Sequence, residues 1–350
     1  MSIPTIVLGG TGYVAGELLR LIVGHPRLKV IGVMSESQAG TSVRTIFPQL
    51  QGTLGDMCFG TKVEMLGLLN EGQVALFSAA PHGVSAALVD DFVNAATRTG
   101  CELSVVDVSA DFRFSTASDF EGVYGVPHGA PELLSEFSCS VPEHQASVSH
   151  SHVGHPGCFA TALLMATVPL MKLGISGTNL YAVGITGSTG SGRSPTAGTH
   201  HPERHSNLFA YKGLSHRHAP EVMGICKSIT GIQPALRFIP HSGPFARGIY
   251  VTMQAELKEP RTEIEIRQAL SEFYAASPFV VIRETAPRIK DVIGSNYCHI
   301  GIATDEESVA VFVVIDNLIK GAAGGAIQWM NRQLGLPETT GLLAPALAWV

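Results

Sequence analysis

One stretch near the start, TIVLGGTGYVAGELLRLIVG, limits the fold more than any other part of the chain. An apolar strand-length run enters a glycine loop. An apolar stripe at helical spacing follows, stops at Gly24, and gives way to a second apolar run, LKVIGVMS. Strand, loop, helix and strand in that order make a βαβ unit. Gly9, Gly12 and Ala15 fit the spacing G-x-x-G-x-x-G/A. The first glycine permits a tight turn, the second lets backbone approach a pyrophosphate, and a small third residue lets helix pack on strand. A phosphate then rests at the helix N-terminus.

Further strand-like runs follow at QVALFSA and ELSVVDVS, with a helical pattern between them that Gly100 ends. Residues 1–155 therefore read as a Rossmann-type nucleotide-binding domain, a doubly wound parallel sheet of the α/β class. Beyond residue 156 the texture changes. NLYAVGIT, ALRFIP, RGIYVTMQAEL, PFVVIR and SVAVFVVID are strand-like, with few helices between them. Residues 156–318 are expected to form a second α+β domain, catalytic and dimerising, around a mixed, largely antiparallel sheet. The terminal helix within 319–350 returns to complete the first domain. Residues 187–218, rich in Gly, Ser and His, read as a long functional loop.

Composition narrows the partners. Hydrophobic residues make up 45% of the 350 and charged ones 15%, with a net charge of −6. That balance suits a packed globular enzyme and argues against a nucleic-acid surface or an anionic membrane. Six scattered cysteines without a C-x-x-C pair read as reduced thiols. The opening residues lack a basic, signal-like segment, and no apolar run is long enough to span a bilayer, so a cytoplasmic location is expected.

The chemistry gathers on a few clusters. In GHPGCFATALLMATVPLMKLG, Cys158 stands behind a Pro-Gly turn at the start of an apolar helix. Unpaired N–H groups and the helix dipole favour a thiolate there, although a small thiol also suits a core. GITGSTGSGRSP carries Ser188 and Arg193 on a glycine-rich turn suited to an anion. SHRHAPE sets His216 and His218 beside Glu221, an acid–base pair with a carboxylate to orient it. Arg113, in SADFRF after a strand, is placed to grip a carboxylate or phosphate. HHPERH offers His200, His201 and His205 but no thiolate or carboxylate set to complete a zinc site, so no metal is expected. Glu36 at the end of the second strand suits a free ribose hydroxyl, whereas the hydroxyls of Ser35 and Ser37 suit a 2′-phosphate. Together a cysteine nucleophile, a histidine, an anion grip and a nucleotide fold specify hydride transfer to a thioester.

From GGTGYVAGELLRLI to KGAAGGAIQWMNRQLGLPETTGL the chain resembles the N-acetyl-γ-glutamyl-phosphate reductases, relatives of the aspartate-semialdehyde dehydrogenases. FPQLQG, the PHG of 81–83, SADFRF, VYGVPH, HPGCFATA, GSTGSGR, HRHAPE, FARGIY, GSNYCHIG and DNLIKGAAG carry the resemblance between those ends. It implies NADPH-dependent reduction of an acyl phosphate to a semialdehyde, with phosphate released. It points to Cys158 as the nucleophile and to His216 as acid/base residue oriented by Glu221. His218 and Arg113, with Ser188 and Arg193, are implied as substrate contacts. Gly9, Thr11, Gly12, Tyr13 and Val14 would line the pyrophosphate, Ser35 and Ser37 the adenosine side, Pro81 and Asn317 the rest of the NADP. A homo-oligomer, dimer or tetramer, is expected. HHPER and YKGLSHRH also resemble reductases that act on carrier-protein-linked aminoadipyl or glutamyl phosphates. SESQAG offers such a carrier no basic residue, and the net charge is negative, so the free small-molecule acyl phosphate is favoured.

Overall fold

A computed structural model describes residues 2–147 and 150–349. Two compact units form. One comprises Met1–Cys139, Ser147–His155 and Ala323–Leu343; the other comprises Ser140–Ala146, Pro156–Ala322 and Ala344–Val350. The segment 140–146 thus packs with the second unit, although it lies within the sequence of the first.

The first unit is built on β1 (Ile3–Leu8), β2 (Leu28–Val33), β3 (Gly72–Ser78), β4 (Cys101–Asp107), β5 (Phe137–Cys139) and β6 (His152–Gly154). They lie in the order β2-β1-β3-β4-β6-β5, and all five pairings are parallel. Ile6, Val7 and Leu8 of β1 and Leu76 and Phe77 of β3 are fully buried, as expected for a parallel sheet covered on both faces. Its helices are α1 (Tyr13–Val23), α2 (Val43–Ile46), α3 (Lys62–Leu66), α4 (Ser85–Thr99) and α5 (Ala117–Tyr124). α1 buries Leu18, Leu19 and Ile22 along one stripe. α4 ends where Gly100 turns left-handed at φ +70°.

The second unit carries α6 (Cys158–Lys172), α7 (His201–Arg204), α8 (His218–Thr230) and α9 (Glu263–Phe273). Its strands are β7 (Asn179–Thr186), β8 (Phe209–Ala210), β9 (Ala235–Ser242), β10 (Ile249–Glu256), β11 (Val280–Ile282), β12 (Cys298–Thr304) and β13 (Ser308–Ile315). They form one sheet in the order β11-β12-β13-β10-β7-β9-β8. Four neighbouring pairs are antiparallel, while β7–β9 and β11–β12 are parallel. The mixed, largely antiparallel sheet is as expected, but β12 is an added strand. Its sequence, CHIGIAT, is broken by Gly301, where a Cβ would press within 2.8 Å of Pro287. Every residue of α6 from Phe159 to Met171 is buried. A helix apolar on all sides belongs at the centre of its unit, and α6 packs against α8, β10 and β13.

After β13 the chain makes a π-helical turn, Ile319–Ala323, and enters α10 (Gly324–Gln333), which packs on β4 in the first unit. Asp316 organises the turn. Its carboxylate accepts the N–H groups of Leu318 (2.8 Å) and Ile319 (3.0 Å) and pairs with Arg247 (3.1 Å). Lys320, fully buried, donates to Glu143 at 2.5 Å and lies 5.8 Å from the Phe279 ring. Lys320→Met is expected to destabilise the protein by about 3–5 kcal/mol in urea unfolding, because it leaves Glu143 buried without its ammonium. The double change Lys320→Met/Glu143→Leu should recover most of that loss.

Candidate active site

In the first unit the strand order reverses at β1, where an open α/β sheet forms its ligand crevice. Gly9 follows β1 at φ +72°, and a Cβ there would lie 2.5 Å from Ala79 O and Ala80 N, just past β3. Only glycine lets the two loops meet so closely. A Cβ at Gly12 would meet no atom within 4 Å, leaving its face open. Gly12 caps α1 without a side-chain hydrogen bond, and the first turn holds no acidic residue. The N–H groups of Tyr13 and Val14, next to Thr11, therefore suit a pyrophosphate. Pro81 opens the neighbouring turn. That turn is tied down by Gly83 N–H to Asp111 (2.8 Å) and by Ala110 N–H to His82 Nδ1 (2.9 Å). These residues fit a dinucleotide.

Glu36 is drawn aside: its Oε1 accepts the N–H of Lys62 at 2.7 Å, at the start of α3. Ser35 and Ser37 hold their hydroxyl oxygens 3.5 Å apart beside it. Arg113 is buried, and its Nε and Nη2 donate to the carbonyls of His155 (2.9 Å) and Val108 (2.7 Å). The guanidinium thus braces the backbone two residues before the Pro-Gly turn at Gly157. Asp107 at the end of β4 accepts from Ser85 (2.5 Å) and Ser109 (2.6 Å). Burial raises its carboxyl to about 6 against the pull of those hydroxyls.

In the second unit Cys158 is the first residue of α6, half-buried, with Gly157 as N-cap and no acidic residue in the first turn. Glu221, 1% exposed on α8, accepts the Gly157 N–H at 2.7 Å. That carboxylate, expected from the sequence to orient His216, holds the turn that presents the thiol. His216 and His218 are both buried, their ring centroids 4.7 Å apart, and both rings lie edge-on to Phe159. Burial, reinforced by Arg217 and Lys212, lowers His216 from 6.5 to about 4. Gly321 in the π-turn completes the floor, since a Cβ there would come within 2.8 Å of Cys158 Cβ.

Tyr211 was not among the residues singled out from the sequence. Its ring lies 5.7 Å from that of His216, and its hydroxyl is pushed up by burial and then by the nearby Cys158. The YKGLSHRH stretch held the signal, an aromatic residue a few positions ahead of the histidine pair. Ser188 sits in a turn pinned by its N–H to Phe245 O (2.9 Å), and Arg193 beyond it is exposed. Asn317 is buried, donating to Thr189 Oγ1 (3.0 Å) and accepting from Gly248 N–H (2.7 Å), so it ties this loop to the end of β13. Among the described residues no group of three His, Cys, Asp or Glu side chains could hold a metal, and no helix is long and apolar enough to cross a membrane.

Comparison with known proteins places this architecture. The family model for semialdehyde dehydrogenase, NAD binding domain, matches residues 5–137, and that for semialdehyde dehydrogenase, dimerisation domain, matches 158–317. N-acetyl-gamma-glutamyl-phosphate reductase of Ectopseudomonas mendocina is 36% identical over 97% of this chain and 98% of its own. The same-named protein of Symbiobacterium thermophilum is 36% identical over 98% of both. The chain belongs to the N-acetyl-γ-glutamyl-phosphate reductase family. The wider semialdehyde dehydrogenase fold is shared with solved structures. Aspartate semialdehyde dehydrogenase II from Vibrio cholerae matches with a TM-score of 0.67 at 14% identity, over 96% of this chain and 99% of that one. The Candida albicans aspartate semialdehyde dehydrogenase with NADP matches with a TM-score of 0.68 at 16% identity, over 95% of this chain and all of that one.

Two outcomes follow for the reductase-family site. Glu221→Ala should cost about 1–3 kcal/mol of stability by stranding a buried N–H, whereas Glu221→Gln, which keeps an acceptor oxygen, should cost less; thermal unfolding compares them. Because folded His216 refuses the proton that the unfolded chain accepts below 6.5, its contribution to stability is complete above that pH and is lost as pH falls toward 4. Urea titrations at several pH values should show a shallower acid loss in His216→Gln than in the parent.

Proposed function

We propose that this chain reduces N-acetyl-γ-glutamyl phosphate to N-acetylglutamate semialdehyde with NADPH, in the cytoplasm, as a step of arginine biosynthesis. The observation that carries the reading is Cys158, half-buried on the first turn of a buried helix, with Tyr211 near its thiol, Glu221 on the preceding Gly157 N–H and the two histidine rings against the following Phe159. The relatives' shared name supports the substrate. The free acyl phosphate is preferred over a carrier-linked one because SESQAG adds no basic surface and the net charge is −6.

Sulfur of Cys158, having lost its proton, attacks the acyl carbon. A carbon–sulfur bond forms, and the carbon–oxygen bond breaks with its electron pair leaving on phosphate. NADPH, when bound, would supply the hydride by which the thioacyl carbon is reduced. Tetrahedral collapse then expels Cys158 as thiolate and releases the aldehyde. Glu221 keeps the Pro-Gly turn in place throughout, while His216 and His218 share the hydrogen-bonding and proton-handling work at the acyl oxygen and the departing phosphate. Ser188, Arg193 and His218 bind the substrate's anionic groups, and Arg113 positions the backbone ahead of Cys158.

Gly9, Thr11, Gly12, Tyr13, Val14 and Pro81 would hold the dinucleotide, and Asn317 would contribute to its binding. The NADP preference is supported by Glu36, whose Oε1 is occupied by Lys62 N–H, and by the neighbouring hydroxyls of Ser35 and Ser37. The chain works as a homo-oligomer, a dimer or tetramer, through the second domain. Tyr181, Val183 and Ile239 are exposed on one face of that domain's sheet.

Purified protein should reduce NADP when given N-acetylglutamate semialdehyde and phosphate. Cys158→Ser should bring that rate to background while NADP affinity stays within about twofold, because serine lacks a comparably acidic nucleophile. Activity equal to the parent's in that variant overturns the thioester route.

A further inference from the structure

We infer that His216 acts as a neutral hydrogen-bond donor, through Nε2–H, to the oxygen of the acyl group carried on Cys158, and that His218 rather than His216 moves the proton. The inference rests on the reaction proposed above and divides the labour of the histidine pair.

The backbone N–H of His218 donates to Nδ1 of His216 at 3.2 Å. A main-chain amide nitrogen is only ever a donor, so Nδ1 must present its lone pair, and the single proton of the neutral ring sits on Nε2. An imidazolium in the same pose would set an Nδ1–H against the amide hydrogen. The ring is therefore held in one tautomer and one charge state.

Its surroundings agree. The His216 carbonyl accepts the N–H of Ala219 at 3.0 Å, so ring and main chain both wrap the N-terminus of α8, whose dipole disfavours a cation. Phe159 and Phe238 face the ring edge-on at 5.9 and 5.5 Å, Tyr211 at 5.7 Å and His218 at 4.7 Å. The charged groups that act on it, Arg217 and Lys212, are both cations.

A ring with Nδ1 engaged and Nε2 protonated has no lone pair with which to take a thiol proton. It is a fixed donor in a dry wall, the arrangement that stabilises developing negative charge on an acyl oxygen. The bookkeeping of the reaction permits this. Thiolate attack, hydride addition and collapse to aldehyde and thiolate move electron pairs onto and off that oxygen without requiring it to be protonated. One proton must travel, from the Cys158 thiol to the departing phosphate, and His218 is the member of the pair left to carry it.

The test combines spectroscopy with paired variants of the full-length protein. With ¹⁵N-labelled histidine, the His216 signal, identified by its loss in His216→Gln, should show the proton on Nε2 and stay unchanged from about pH 5.5 to about 8.5. In the phosphate-dependent semialdehyde assay, His216→Gln, which keeps an N–H near Nε2, should lose no more than about tenfold in kcat, whereas His216→Ala should lose about 10²–10³-fold. His218→Gln should lose about 10²-fold or more and flatten the pH–rate profile. A His216 ring that titrates near neutrality, or carries its proton on Nδ1, overturns the inference. So does a His216→Gln variant as slow as His216→Ala. The tautomer is read without any substrate, so a parent protein inactive on the semialdehyde would refute the proposed reaction while leaving the spectroscopic result standing.

Discussion

The hydrogen bond from Gly157 N–H to the buried carboxylate of Glu221 joins the two helices on which the second unit's chemistry depends. α6 is apolar on every side, so its body has no freedom to slide or roll without opening the core. Its first turn is the one part that must leave the core, and there a bare backbone amide would be costly to bury. Glu221 answers that need from α8, the helix that begins at His218, two residues after His216. Thiol and imidazoles are thereby referenced to each other through a short, rigid path instead of through flexible side chains.

The same economy of parts appears in the first unit. Gly9 lets the loops after β1 and β3 touch, and Asp111 ties the turn after β3 to the one after β4. Three consecutive strand ends are locked together, and the crevice they border is shaped mostly by backbone. A surface made of amides and glycines suits a phosphate-rich ligand, because its donors are fixed in space and carry no side-chain entropy to lose.

Much of this was legible in the sequence because the strongest signals are periodic and local. The β1–α1–β2 unit, Gly100 as a helix stop and the buried helix beginning at Cys158 follow from spacing alone. The strands that escaped notice are β5 and β6, three residues each, β8, of two residues, and β12, interrupted by Gly301; none has enough alternation to stand out. Side-chain partners were harder still. Glu36 left the ribose end open between a free hydroxyl and a 2′-phosphate, and one of its oxygens reaches Lys62, twenty-six residues away. Arg113 looked like an anion grip, and its Nε and Nη2 donate to carbonyls of His155 and Val108. Tyr211 stands a few positions ahead of the histidine pair, but nothing in that spacing ties its ring to Cys158, fifty-three residues earlier. Long-range pairings of this kind have no period, so composition and motif cannot announce them.

The first unit is discontinuous. Its last helix, α10, comes from Ala323–Leu343, with Asn331 bonded to His25 at 2.9 Å and Gln333 reaching the carbonyl of Ser151 at 2.8 Å. During synthesis the ribosome must therefore release Pro156–Ala322, the bulk of the second unit, before the first can close. The nascent nucleotide-binding half waits with one flank of its sheet bare, a window in which the apolar surface under α10 is open to chaperones and to misassembly.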